Sequence, residues 1–422
     1  MTVEFDIITK LKLEYFIAKR LVTTKNHKSS VSAPIIKIAI TAIALGIIMM
    51  LVSVATGLGL KHKIRDKISA FSSHIVITKY DSNITDITLK PIELNQKFYP
   101  QFDNIDGVSK VQPFASKAGI IRTENAFEGI VYKGVTAEYQ FDEIAEYIEQ
   151  GRLPVFDKEG MSNEILMSTY VANRLGFKLG DKVNTYFMKD WGNKVPNIRQ
   201  FEIVGLYNSG LQQFDENIIL GDLRHVQRLN RWTENEVGGF EVLLKNFDEI
   251  EEKGSEIYLN LPSTVDSKTI VEKYENIFGW LDMFDFNIKV IIIIMIAVAS
   301  INMIVALLVL ILERTQMIGM LKALGATNWS VRKIFLYNAF YLIGKGLLYG
   351  NGIGLGLLFL QKYTGIIKLD PTSYYVREAP VLIRLTDVLL LNAGVIVIAM
   401  LVLLIPSYLI TKISPVKAIR YD

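Results

Sequence analysis

The chain has 422 residues, half of them hydrophobic, with a formal net charge of +3 and no cysteine. So small a charge, with no basic patch interleaved with aromatics, argues against nucleic acid as a partner, and the missing thiols exclude disulfides, thiol catalysis and Cys-ligated zinc or iron–sulfur centres. His27, His62, His74 and His225 leave no i, i+4 pair for a metal, so composition favours a membrane protein.

Residues 1–34 carry Lys10, Lys12, Lys19, Arg20, Lys25 and Lys28 beside Phe5, Ile8, Leu11, Leu13, Tyr15, Phe16 and Ile17, which reads as an amphipathic helix on the cytoplasmic surface. A cleaved signal peptide is the competing reading, but the next apolar run is too long for an h-region and no small-x-small site follows it. Residues 38–60 are free of charge, and at ~1.5 Å per residue they cross a ~30 Å hydrocarbon core. Transmembrane helices are expected at 35–60, 288–312, 334–360 and 387–411. The third departs from the others in holding Asn338, Lys345 and Asn351, together with Gly352, Gly354 and Gly356, whose small faces permit close helix approach. A charge inside a span costs roughly 2.5–3.5 kcal/mol on insertion scales, so Lys345 either meets protein, water or a partner, or snorkels.

Between the first two spans, residues 61–286 are numerous enough to bury their own core. Strands are expected at 73–78, 119–122, 129–133, 182–187, 201–205 and 239–244, the second and third forming a hairpin around Glu124 and Asn125. Ser168 is placed to cap a helix that Gly176 stops, and Asp222 to cap another running through Leu229. The expected fold is an integral membrane protein of four transmembrane helices with a large α+β extracytoplasmic domain between helices 1 and 2. Four spans put both termini on one side, and the basic N-terminal segment puts that side in the cytoplasm. The cluster Lys61, Lys63, Arg65 and Lys67 opposes this, but it opens a long translocated domain, where the charge rule is weak.

Residues 313–333 form the cytoplasmic elbow between the second and third spans. Met317, Met320, Leu321 and Leu324 recur at helical spacing and make an apolar stripe that needs a partner. Gly325 supplies the left-handed stop, and Asn328 is expected to cap the next helix. A helix lying on lipid is the alternative, although it would carry more cations than Lys322 alone. Residues 361–386 are then an extracytoplasmic loop and 412–422 a cytoplasmic tail.

The string ERTQMIGMLKALGA at 313–326 resembles the elbow of the FtsX/MacB-type ABC permeases. FIAKRL at 16–21, LGFKLGDKV at 175–183, FEIVG at 201–205 and SPVKAIRYD at 414–422 are similar to the lipoprotein-releasing permeases of LolC/LolE type within that family. The resemblance implies an inner-membrane permease working as a dimer with a second permease, the same chain or a homologous one, and with an ABC ATPase dimer that holds ATP and magnesium. Glu313, Met317, Ile318, Gly319, Met320, Leu321, Lys322, Leu324 and Gly325 would then couple to the ATPase. It further implies extraction of lipoproteins from the outer leaflet and transfer to a periplasmic carrier by mechanotransmission. Acyl chains would enter between spans one and two against Ile43, Ile47, Met50, Val54, Met295, Ala299 and Met303, methionine suiting variable chains because it is flexible. Withdrawing ~14 methylenes at ~0.8 kcal/mol each requires an energy source.

Residues 189–199, with Trp191 and Pro196, fall where such permeases carry a carrier-binding loop; a plain hairpin loop is the other reading. No GxxxxGK[ST] string occurs, so no ATP site, other cofactor or catalytic residue is expected in this chain. The G-x-G-x-G run after Tyr349 sits inside a span and reads as packing. Two other functions stay open: a MacB-like exporter of periplasmic cargo, which a fused ATPase would mark, and an FtsX-like signal transducer controlling a cell-wall hydrolase.

Overall fold

The computed structural model describes residues 14–18, 20, 32–80, 90–156, 160–188 and 196–413. It divides into two compact units, one comprising Met1–Lys61, Leu281–Lys368 and Glu378–Asp422, the other His62–Trp280 and Leu369–Arg377.

In the first unit, four helices among the described residues are long and apolar enough to cross a membrane. They are Ser32–Ser72, Glu275–Glu313, Asn328–Thr364 and Leu385–Ser407, the last followed by the short helix Leu409–Lys412. Residues 38–60 are therefore only part of a 41-residue helix whose polar end, from His62, belongs to the second unit. The spans interlock through glycine. A Cβ on Gly346 would lie 2.6 Å from Ile43 Cγ2, one on Gly350 2.8 Å from Ile47 Cβ, and one on Gly354 3.2 Å from Leu51 Cδ1. This i, i+4 stripe seats the first span on the third. Of the three glycines expected to permit close approach, Gly354 meets the first span while Gly352 and Gly356 face open space, because a helix repeats every 3.6 residues and positions two apart point to different sides. Spans three and four are joined by reciprocal amides, Asn351 Nδ2 donating to Asn392 Oδ1 at 2.7 Å and Asn392 Nδ2 to Asn351 Oδ1 at 3.0 Å.

The second unit is built on β1 (Ile75–Lys79), β2 (Ile92–Glu93), β3 (Val108–Arg122), β4 (Phe127–Val135), β5 (Ile148–Gly151) and β6 (Glu164–Ser168). It continues with β7 (Lys182–Phe187), β8 (Asn197–Tyr207), β9 (Ile218–Asp222), β10 (Glu236–Val237), β11 (Gly239–Leu244) and β12 (Val265–Thr269). Ten strands form one sheet in the order β12-β1-β11-β3-β4-β9-β6-β8-β5, with β7 pairing β3 and β8; β2 and β10 pair apart. The β4–β9 and β6–β8 pairs are parallel and the others antiparallel, consistent with the α+β expectation.

Local chemistry sets the helices between strands. Ser168 Oγ accepts from Val171 N at 3.0 Å to open Thr169–Leu175, and Gly176 closes it at φ +77°. Asp222 Oδ1 does the same for Leu223–Asn230, accepting from Arg224 N at 3.0 Å. Between the faces, Tyr132 is fully buried and donates to Asp222 O at 3.1 Å, and Gly221 is required beneath it, since a Cβ there would fall 2.1 Å from the phenol oxygen. The buried Lys133 ammonium donates to Glu241 Oε1 at 2.6 Å and to Phe71 O at 2.8 Å, so neither charge is left unpaired. Leu369–Arg377, from the loop before the last span, is part of this unit. Lys67 Nζ donates to Tyr375 O at 2.8 Å, Arg377 Nη2 to Glu149 Oε1 at 2.9 Å, and Tyr375 meets Trp280 edge to face.

Candidate functional site

The elbow is a nine-residue helix, Thr315–Ala323, between the second and third spans. Its end is set by two reversed hydrogen bonds, Ala326 N to Leu321 O at 2.9 Å and Gly325 N to Lys322 O at 3.0 Å, around Gly325 at φ +94°. That is a Schellman close, and a side chain at 325 would strain it. The next helix is capped one residue earlier than expected. Thr327 Oγ1 accepts from Ser330 N at 3.2 Å, and Asn328 is the first helical residue. Thr327 keeps the extended backbone that a cap requires.

The apolar stripe is divided between two surroundings. Ile318 and Gly319 are buried, and Met317 and Leu321 pack half-buried on the bundle core. Met320 and Leu324 are 54% and 85% exposed, and Trp329, which the periodicity missed, is 52% exposed. Met317, Ile318, Gly319 and Leu321 are thus occupied within the chain, so the free face of the elbow is narrower than the expected coupling set. Glu313 is exposed at the end of the second span. Trp329 was legible only as the lone large aromatic after the glycine stop.

Lys322 also has partners within the chain. Its ammonium donates to Ile410 O at 2.6 Å and Ile413 O at 2.8 Å, which caps the carbonyl end of the short helix Leu409–Lys412. Arg332 works beside it, Nε donating to Ser407 Oγ at 3.1 Å and Nη2 to Leu404 O at 3.2 Å, with its guanidinium 5.3 Å from the Trp329 ring. Glu14 is buried and accepts from Ser330 Oγ, with Lys333 Nζ at 3.7 Å. In the N-terminal segment Glu14 and Ala18 are buried, while Tyr15 and Phe16 are exposed.

Of the expected acyl path, Ile43, Ile47, Met50, Ala299 and Met303 are buried in the core that the spans share, while Val54 and Met295 are half-buried. The reason is the glycine stripe, which draws the third span onto the face that holds Ile43 and Ile47. Exposed on the same two helices are Leu45, Met49, Ile294, Val298 and Ile301. Lys345 is half-buried with Nζ 4.6 Å from the centre of the Tyr341 ring. Trp191 and the rest of 189–195 lie outside the described residues; Pro196 is half-buried just ahead of β8. Among the described residues no three His, Cys, Asp or Glu side chains converge as metal ligands would.

Four spans, a mixed-sheet domain between the first two and a short elbow between the next pair define a class, and the chain belongs to it: it is an FtsX/MacB-type ABC transporter permease. The MacB-like periplasmic core domain matches residues 38–277, more than half of the chain, and the FtsX-like permease C-terminal domain matches 289–415. Its relatives include the lipoprotein-releasing system transmembrane protein LolC of Neisseria meningitidis serogroup B, 22% identical over 97% of this chain and 99% of its own. Another is LolE of Haemophilus influenzae, 21% identical over 96% of this chain and 98% of its own. Among solved structures, the periplasmic region of MacB from Actinobacillus actinomycetemcomitans is similar at 13% identity, covering 50% of this chain and 95% of that one, with a TM-score of 0.32. The extracellular domain of the noncanonic ABC-type transporter YknZ from Gram-positive bacteria covers 46% of this chain and 99% of that one at 17% identity, with a TM-score of 0.30.

Proposed function

We propose that this chain is the permease subunit of a mechanotransmission ABC transporter that extracts lipoproteins from the outer leaflet of an inner membrane and passes them to a periplasmic carrier. The observation that carries the reading is the elbow, a capped helix between two spans that leaves Met320, Leu324 and Trp329 exposed. Relatives of matching length named for lipoprotein release supply the substrate class. In this reading ATP and magnesium belong to a pair of separate ATPase subunits seated on that apolar face, and two permeases, identical or homologous, make the dimer. Both termini and the elbow are cytoplasmic, and the sheet domain is periplasmic.

The acyl anchor enters first against the exposed Leu45, Met49, Ile294, Val298 and Ile301; Ile43, Ile47, Met50, Ala299 and Met303 are reached only if the spans part. Trp191 and Pro196 belong to the loop assigned to the carrier. The test is site-specific photocrosslinking in the complex arrested with an ATPase that cannot hydrolyse. Lipoprotein is expected to crosslink at Met49 and Val298 and not at Phe359, which is exposed on the third span. Equal labelling at all three, or none at the first two, would remove lipoprotein extraction through this face.

A further inference from the structure

Lys345 is the residue that neither the elbow nor the acyl path uses. It borders a groove of about 680 Å³ on the first unit, lined by Tyr15, Tyr337, Asn338, Tyr341 and Tyr349. Three features of this groove point to a ligand.

The first is charge. Among the described residues no carboxylate approaches Lys345; its neighbours are the phenols of Tyr341 and Tyr349. A membrane-embedded ammonium without a counter-charge draws an anion. The second is an unmet hydrogen bond. Asn338, which lines the groove, is 3% exposed and its Oδ1 has no partner among the described residues.

The third is depth. The third span is bracketed by Lys333 and Lys362, and the Lys345 side chain leans back one turn onto Tyr341, about 12 Å along the axis from Lys333. Allowing for the headgroup layer, that is about one helical turn inside the hydrocarbon boundary of the leaflet on the Lys333 side, within reach of a lipid phosphate. Tyr15, from the N-terminal segment, closes this end of the groove, its ring centre 6.3 Å from that of Tyr337. At the other end Leu348 and Tyr349 are 69% and 50% exposed and give an acyl chain an apolar wall.

We propose that this groove holds one anionic glycerophospholipid, its phosphate on the Lys345 ammonium and its chains along Leu348 and Tyr349. The site differs from the expected lipoprotein path in helix and in charge; its binding chemistry does not depend on the transport reading, while its leaflet and its place beside the ATPase rest on the proposed topology. Its role is to anchor the third span, and with it the elbow, to the leaflet beside the ATPase.

The experiment is native mass spectrometry of the full chain released from vesicles of phosphatidylcholine containing a minor share of phosphatidylglycerol. The wild type should retain phosphatidylglycerol at about fivefold over its share of the vesicle, the preference expected of one cation near anionic lipid. Lys345→Gln and Lys345→Ala should fall to the vesicle ratio and Lys345→Arg should keep the preference. Leu348→Trp, which fills the groove without touching the charge, should lower total retained lipid. Retention unchanged in Lys345→Gln overturns the proposal. So does self-crosslinking of a cysteine at position 348 that is indifferent to phosphatidylglycerol, because the occupant would then be a second copy of the chain.

Discussion

At the scale of single residues, the elbow separates side chains that hold the chain together from those left for a partner. Met320→Asp with Leu324→Asp places carboxylates on the exposed face and should lower ATPase co-purification at least tenfold with unfolding of the membrane unit unchanged; wild-type co-purification would take the coupling role from this face. Lys322→Ala should act on stability instead. Loss of a charged donor to the Ile410 and Ile413 carbonyls should destabilise the full chain in detergent by about 1–3 kcal/mol, read as a lower Tm, whatever happens to ATPase binding. His74 offers a pH-dependent counterpart in the second unit. It is buried, its Nδ1 accepts from Leu244 N at 2.8 Å, and desolvation with Arg65 nearby pushes its pKa down to about 4. The unfolded chain binds this proton below about pH 6.5 and the folded chain only near 4, so its stabilising contribution is complete above 6.5 and declines by about 3 kcal/mol as pH falls through that window. His74→Gln keeps an acceptor that does not titrate. Between pH 7 and 4 the wild type should lose about 3 kcal/mol that His74→Gln keeps, so the stability difference shifts toward the variant at the acid end, and parallel curves would show that His74 is not the group responsible.

At the scale of elements, two glycines a single turn-fraction apart make opposite predictions. Gly350→Leu drives a side chain into Ile47 Cβ and Ala44 O, at 2.8 and 2.9 Å from the first added atom, and should push spans one and three apart. At Gly352 an added Cβ meets nothing within 4 Å, and Gly352→Leu should express and unfold like the wild type. Loss of folded protein in both would mean that glycine serves helix flexibility here and not close approach. The same logic explains which elements could be read in advance. Ser168 and Gly176 bound the helix Thr169–Leu175 as expected, and the 182–187 and 239–244 runs are strands at those limits, because caps, stops and alternation are local signals. The hairpin at 119–133 extends far beyond its expected start in β3, where pairing with β11 carries the ladder back to Val108, and only slightly in β4, where pairing with β9 carries it to Val135.

At the scale of the whole molecule, the proposed topology has both termini and Gly325 in the cytoplasm and Gly160 outside. The absence of native cysteine makes the check direct: a cysteine at 160 should react with an impermeant thiol reagent in intact cells and one at 325 should not, and the reverse pattern inverts the assignment. Much of the architecture was decided by the sequence alone, because charge-free length, helical period and capping residues act within a few turns of themselves. The sequence therefore determined four spans, a mixed-sheet domain between the first two, and an elbow stopped at Gly325. Tertiary structure decided which faces are already taken. Lys322 reaches carbonyls near residue 410, Ile43 and Ile47 meet Gly346 and Gly350, and Glu14 meets Ser330, all contacts between segments far apart in the chain. Periodicity says which side chains share a face; only the packed neighbours determine whether that face is core, cap or open surface.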